Sequence, residues 1–195
     1  MGNLTGALRR FERVAVPLEG RRHAAVALAI SEGEDGAAVW LTRRAPKMRA
    51  HARQFALPGG GVDPGEDAVD AAIRELREEI GVTASRDAFL GLLDDYATRS
   101  GYVITPVVLR VRDGQEPTVN PAEVSELYRI TFRELATEPR FLSIPESTQP
   151  VIQLPLVGHL VHAPTAAVLY QFRELALYGR VTRVGHLEQP VFAWK

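Results

Sequence analysis

The 195-residue chain contains no cysteine. That absence excludes disulfides, thiolate catalysis and cysteine-ligated zinc, and it fits a reducing, cytoplasmic setting. No apolar run approaches the roughly 18 residues of a membrane span, so no membrane partner is expected. The N-terminal MGNLTGALRR lacks the apolar stretch of a signal peptide, and Gly6 stands where a myristoylation motif wants Ser or Thr. The net charge is only -1, which gives no global field for nucleic acid or an anionic membrane. Repeats, low-complexity tracts and linkers are missing too. What remains, with 46% hydrophobic residues, is enough to bury one core. The expectation is a single domain over 1–195, with a short N-terminal helical extension over about residues 1–20.

Periodicity divides the chain into mixed elements. Leu4, Leu8 and Phe11 recur at helical spacing and predict a helix over Asn3–Val14. His23–Ile30 and Ala37–Leu41 read as strands, and Phe55–Leu57 as a short strand entering Pro58-Gly59-Gly60-Gly61. A helix is predicted from about Glu66 to Ile80, stopped by Gly81. Strands follow at Phe89–Tyr96, at Tyr102–Arg112 and at Val124–Ile130. Pro106 inside the second of these implies a bulge or an edge position. Thr131 should cap a short helix to Ala136. The three prolines of 137–150 predict a loop, Val151–Val161 returns as strands, and Pro164–Tyr178 is a helix ended by Gly179. Strands mixed with two principal helices suit an α/β fold with a mixed β-sheet between helices.

The helix after the glycines carries the chemistry. At about 100° per residue, Glu75, Glu78 and Glu79 share an arc of roughly 100°. Three like charges repel there unless a cation joins them. Ala68, Val69, Ala72, Ile73, Leu76 and Ile80 form a stripe away from that arc, so the helix docks on a sheet and shows its acids along the flank. Hard divalent ions such as Mg²⁺ take oxygen ligands and leave positions for water and phosphate oxygens. A solvated, charge-rich surface helix is the competing interpretation of the same residues.

The full register is more specific than the charge. Gly60, Glu66, Arg74, Glu75, Leu76, Glu78, Glu79, Gly81 and Val82 resemble the Nudix box: Gly, five residues, Glu, seven residues, Arg-Glu-apolar, one residue, Glu-Glu, one residue, Gly-apolar. The resemblance implies a Nudix-type α/β/α sandwich with a loop-helix-loop catalytic motif. It also implies Mg²⁺- or Mn²⁺-dependent hydrolysis of a nucleoside diphosphate linked to another moiety. Glu75, Glu78 and Glu79 would bind metal with the Gly60 carbonyl nearby, and Arg74 would hold Glu75 or Glu66 in place. Glu78, Glu79 or the loop acids Glu123 and Glu126 would take the proton, with a box glutamate favoured.

Substrate clues lie outside the box. Arg43, Arg44, Lys47, Arg49 and Arg53 put five cations into eleven residues that run into Gly59, Gly60 and Gly61. Arg forks suit phosphate, so this segment predicts an additional substrate phosphate. Leu41, Thr42, Arg44, Arg49, Pro58, Gly59 and Gly60 resemble the signature of the coenzyme A pyrophosphatase branch of the family. Trp40, Ala45, Arg53 and Leu57 depart from it, Arg53 by standing where that signature has glycine. The resemblance continues through Ile104-Thr105-Pro106-Val107-Val108 and Glu123-Val124, and it implies coenzyme A or a derivative as substrate. Other Nudix substrates remain open: ADP-ribose, a dinucleotide or an (d)NTP. A nucleotide-sensing domain without catalysis is the non-enzymatic alternative. His159 and His162 read as strand residues on opposite faces rather than a metal pair, and Tyr170, Phe172 and Tyr178 as packing residues. A homodimer is compatible with the chain, and oligomeric state is otherwise left open.

Overall fold

Strand β1 (Arg22–Ser31) alternates between two cores, and the rest of the fold follows from that alternation. Ala25, Ala27 and Ala29 face one side, with Val107 and Leu109. Leu28 and Ile30 face the other, with Val39, Leu41 and Phe172. The alanines leave room for a helix to lie close. That helix is α2 (Ala68–Ile80), whose Val69, Ala72, Leu76 and Ile80 fill the first core. The opposite core is closed by α1 (Gly2–Arg10) and α4 (Thr165–Tyr178). The computed structural model describes residues 2–47 and 52–194.

The sheet between these layers is mixed. β1 pairs in parallel with β7 (Tyr102–Arg110), from Arg22↔Tyr102 to Ile30↔Arg110. Its other edge is shared by β2 (Ala38–Arg44) and β4 (Gly59–Gly61), both antiparallel. β3 (Phe55–Ala56) and β8 (Val124–Thr131) pair with β2, while β5 (Phe89–Leu92) and β6 (Tyr96–Ala97) pair with β7. The short helix α3 (Phe132–Leu135) follows β8, with Thr131 as its cap as the sequence predicts, and Glu134 completes a capping box. A second, three-stranded antiparallel sheet holds β9 (Arg140–Ile144), β10 (Ser147–Leu156) and β11 (His159–His162). The observed architecture is the expected α/β sandwich.

Four boundaries differ from the sequence reading, each for a physical reason. Helix α1 ends at Arg10 because the chain then extends, so that the Val14 and Val16 N–H groups donate to Asp94 and Asp95. Helix α2 starts at Ala68, two residues later than Glu66. Asp67 is its cap, accepting from Val69 and Asp70 at 2.9 Å each, and Glu66 stays in the loop. The strand expected over Phe89–Tyr96 breaks at residues 93–95. Pro106 lies at neither an edge nor a bulge of β7: its carbonyl accepts from Leu93 N–H at 3.1 Å, so its missing donor faces that break. Residues 137–150 are not a loop, since Pro139 precedes β9, Pro145 sits in the turn and Pro150 falls within an irregular register of β10.

The break in the β5–β6 strand is occupied by two buried carboxylates. Asp95 accepts from Arg13 at 2.6 Å, from Thr105 Oγ1 at 2.7 Å and from Val16 N–H at 2.9 Å. Asp94 accepts from Val14 N–H, from Gln171 Nε2 and from Arg183. Together they fasten the segment after α1 and the segment after α4 to the central sheet. Nothing in the apolar periodicity points to them, although two adjacent acids inside FLGLLDDY interrupt the strand alternation. Replacing Asp95 by Ala strands a cation and a buried hydroxyl, and should cost about 3 kcal/mol or more. Chemical denaturation checks this against Glu126→Ala, whose exposed pair should cost far less.

Candidate active site

Three carboxylates converge beside the glycine strand. One oxygen each from Glu75, Glu79 and Glu123 lies within 4.8 Å of the others. Glu75 and Glu79 come from the last two turns of α2. Glu123 comes from the loop before β8, and that loop is tied to the end of the same helix: Asn120 N–H donates to the Glu79 carbonyl and Thr118 N–H to the Ile80 carbonyl, each at 2.8 Å. Helix carbonyls without intrahelical partners thus fix the third acid in place.

Gly60 sets the geometry from the sheet side. β4 pairs with β1 so that Gly60 lies opposite Ala25, directly under the helix. A Cβ on Gly60 would meet Glu75 Oε1 at 2.3 Å, and one on Gly59 would meet the Ala25 carbonyl at 2.3 Å. Close approach to backbone requires glycine at 59, whereas a Cβ at 60 would have to push the Glu75 carboxylate aside. Gly61 faces open space, and its carbonyl accepts from Arg74 Nη2 at 2.9 Å.

Arg74 holds the acids as the motif implies. Its guanidinium donates to Glu66 at 2.8 and 3.0 Å, to Glu75 at 2.7 Å and to Glu78 at 3.3 Å. Glu78 is half exposed and lies on the Arg74 side, outside the three-carboxylate cluster. Glu126 is not brought to the cluster. It points to the opposite face of the sheet, where it pairs with Arg43 at 2.8 Å and accepts from the Tyr128 hydroxyl. The parity of β8 explains this, because Leu127 faces α2 while its neighbours face Phe55 and the α4 side.

The electrostatics mark Glu79. It is 3% exposed, and its Oε2 is buried without any hydrogen-bond partner. Burial pushes its carboxyl up to about 8; Arg44, 3.9 Å away, pulls it back and Glu75 and Glu123 add to the rise. Burial raises Glu75 as well, opposed by Arg74. An orphaned carboxylate oxygen and three acids with oxygens within 4.8 Å of one another form an oxygen-only donor set, which suits a hard divalent cation.

The basic segment divides along its length. Arg44 reaches the acids, and its Nε is buried without an acceptor. Lys47 and Arg53 are exposed. Arg49 lies outside the described residues. Arg53 adopts φ 63°, in the left-handed region that favours glycine. His159 and His162 sit on β11: the first packs on Phe55, the second on Phe192 and Gln153. Phe172 is fully buried, whereas Tyr170 packs on Phe141 and Tyr178 is exposed.

A family model described as the NUDIX domain matches residues 21–149. The chain belongs to the Nudix hydrolase family. Among curated relatives, an uncharacterized Nudix hydrolase NudL from Photorhabdus laumondii is 36% identical over 117 residues, 60% of this chain and 62% of that protein. NudL from Yersinia pestis is 38% identical over 105 residues, 53% of each chain. The Nudix chain therefore spans less than two thirds of the length of these relatives. Two solved structures share the fold. RenU, a Nudix hydrolase from M. smegmatis, has a TM-score of 0.55 and 22% identity, covering 84% of this chain and 90% of its own. A Nudix hydrolase from Alicyclobacillus acidocaldarius has a TM-score of 0.54 and 20% identity, covering 78% and 90%.

Three tests follow from this Nudix site. With burial pushing its carboxyl up to about 8, Glu79 should hold a proton at pH 7 in the metal-free protein, and a divalent cation should expel it. Titrating Mg²⁺ or Mn²⁺ in buffers of different ionisation enthalpy should show release of up to about one proton at pH 7, vanishing above about pH 9. The same carboxyl has a folded pKa above its ordinary 4.5. Its contribution to stability is therefore present below 4.5 and lost as pH rises through about 8, so metal-free protein should weaken over that window and regain stability with metal. Gly60→Ala should displace Glu75 and weaken metal binding by about tenfold or more, read by the same calorimetry.

Proposed function

We propose that this Nudix protein hydrolyses a nucleoside diphosphate linked to another moiety, using Mg²⁺ or Mn²⁺, with coenzyme A or a derivative as the favoured substrate. The observation that carries the reading is the convergence of Glu75, Glu79 and Glu123, with an oxygen of Glu79 left unpartnered. These three would hold the cation, with the Gly60 carbonyl beside them. When bound, the ion would polarise the diphosphate and acidify an attacking water.

The chain's own groups account for the remaining work. Arg74 fixes Glu75 and Glu66 and leaves Glu78 tethered through one longer contact. Glu78, half exposed and not among the three cation-holding acids, is the box glutamate that would take the water's proton as the oxygen–phosphorus bond forms and the bridging phosphorus–oxygen bond breaks. Arg44 brings a cation to the acids at the end of β2, where phosphate charge would collect. Glu126, engaged by Arg43 and Tyr128 on the other face, serves that hairpin instead. With coenzyme A the products are phosphopantetheine and adenosine 3′,5′-bisphosphate. All box carboxylates are present, which favours catalysis over nucleotide sensing.

The test is a panel of coenzyme A, ADP-ribose, NADH, diadenosine polyphosphates and dNTPs, each with Mg²⁺ or Mn²⁺. Glu78→Gln should lower turnover by about 10² to 10⁴ with metal binding retained, the scale of lost acid–base help. Glu79→Gln should lose metal binding as well. No metal-dependent cleavage of any member would overturn the activity, and normal turnover in Glu78→Gln would overturn the role of that residue.

A further inference from the structure

The hairpin that delivers the basic residues to the site closes through an irregularity. Arg53 N–H donates to the Arg44 carbonyl at 3.1 Å, and Arg44 N–H donates to the Gln54 carbonyl at 3.0 Å. Two residues of one strand thus face a single residue of the other, which is a β-bulge. Arg53, its first residue, has φ 63°. Bulges of this kind place their first residue in the left-handed region and select glycine there, because a Cβ is disfavoured.

This chain has arginine instead, and its backbone is held from both sides. The N–H is bonded to Arg44, and the carbonyl accepts from Arg43 Nε at 3.3 Å. A conformation that a side chain disfavours, kept in place by its surroundings at the rim of a site, points to a use for that side chain. Its neighbours have their own carboxylates: Arg43 pairs with Glu126 and Arg44 lies by Glu79. Arg53 is exposed and has no such ion pair among the described residues. The residue opposite the bulge is Arg44, so the structural link between Arg53 and the metal-binding acids is one strand pairing long.

We propose that Arg53 is a specificity residue that binds a phosphomonoester on the substrate ribose, apart from the diphosphate that is cleaved. The inference rests on the hydrolase reading above and names the substrate class of that site. Arg44 occupies the position nearest the acids, where the diphosphate would lie. Arg53, paired to Arg44 through the backbone and exposed, would meet groups attached further along the nucleotide. A guanidinium fork matches the oxygens of a phosphomonoester dianion.

The experiment uses two nucleotide pairs that differ only in that phosphate: coenzyme A with dephospho-coenzyme A for the 3′ position, and NADPH with NADH for the 2′ position. The full chain is compared with Arg53→Gly, which removes charge and relieves the backbone, and with Arg53→Gln, which removes charge alone. In one pair the wild type should favour the phosphorylated member. That preference, as a ratio of kcat/KM, should fall about tenfold to a hundredfold in both variants, the scale of a charged hydrogen bond. Arg53→Gly should melt above Arg53→Gln, since glycine tolerates the bulge. Equal ratios in wild type and variants, or a lower Tm for Arg53→Gly than for Arg53→Gln, would overturn the inference. If none of the four is cleaved, their Kd values by titration calorimetry give the same ratio. Absent cleavage then counts against the hydrolase reading, and absent discrimination against Arg53.

Discussion

The fold is organised around one close approach, that of the Glu75 carboxylate to the backbone of Gly60. A helix can bring its acids this near a strand only if the strand has no side chain at that point and the strand beyond it carries small ones. Gly60 meets the first condition, and Ala25, Ala27 and Ala29 meet the second. Pairing of β4 with β1 then determines which turn of α2 lies over the glycine. Arg74 offsets part of the repulsion that results, while Glu79 is left buried with an unpartnered oxygen. An apolar residue in place of Glu79 would pack more easily. Its retention indicates a site arranged for an occupant rather than for stability.

Much of this was legible from residue order. The cap at Gly81, the apolar stripe of α2, the strand character of β1 and β7, and the link from Arg74 to Glu66 and Glu75 all follow from local spacing and local chemistry. What was not legible depends on contacts distant in sequence. Glu123 and Glu126 are equivalent as letters, yet one joins the acids and the other faces away. The difference arises because the preceding loop is bonded to the end of α2 and because β8 then alternates. In the same way Glu78 shares the helical arc of its neighbours but not their burial. The prolines around β9 and β10 gave a misleading local signal, since each falls where a ladder hydrogen bond is not needed.

Asp94 and Asp95 illustrate a further limit. Polar residues at the centre of a predicted strand suggest a surface position, but both are buried and each gathers several donors. They replace the ladder that the strand loses between β5 and β6, and they tie chain segments that lie far apart in sequence. Thr105, which entered as part of a short resemblance, proves to be one of their donors and the hydrogen-bond neighbour of His23. Its position on β7 is therefore accounted for by packing and hydrogen bonding on the α2 side of the sheet.

The parallel pairing of β1 with β7 has a consequence for the order of folding. Arg22 meets Tyr102 only after the chain closes a loop of about 80 residues, and that loop contains β4 and α2 with every box carboxylate. Helix α2 can form early from local contacts, but its docking surface is incomplete until Val107 and Leu109 arrive beside the alanines of β1. Such non-local pairing slows folding relative to a helical bundle of the same size. On a ribosome, a chain that has emerged only as far as Gly81 has every box carboxylate and the antiparallel strands β1 to β4, but neither β7 nor Glu123. Metal affinity should therefore arise late and abruptly in biogenesis, with the central strands rather than with the helix that carries the ligands.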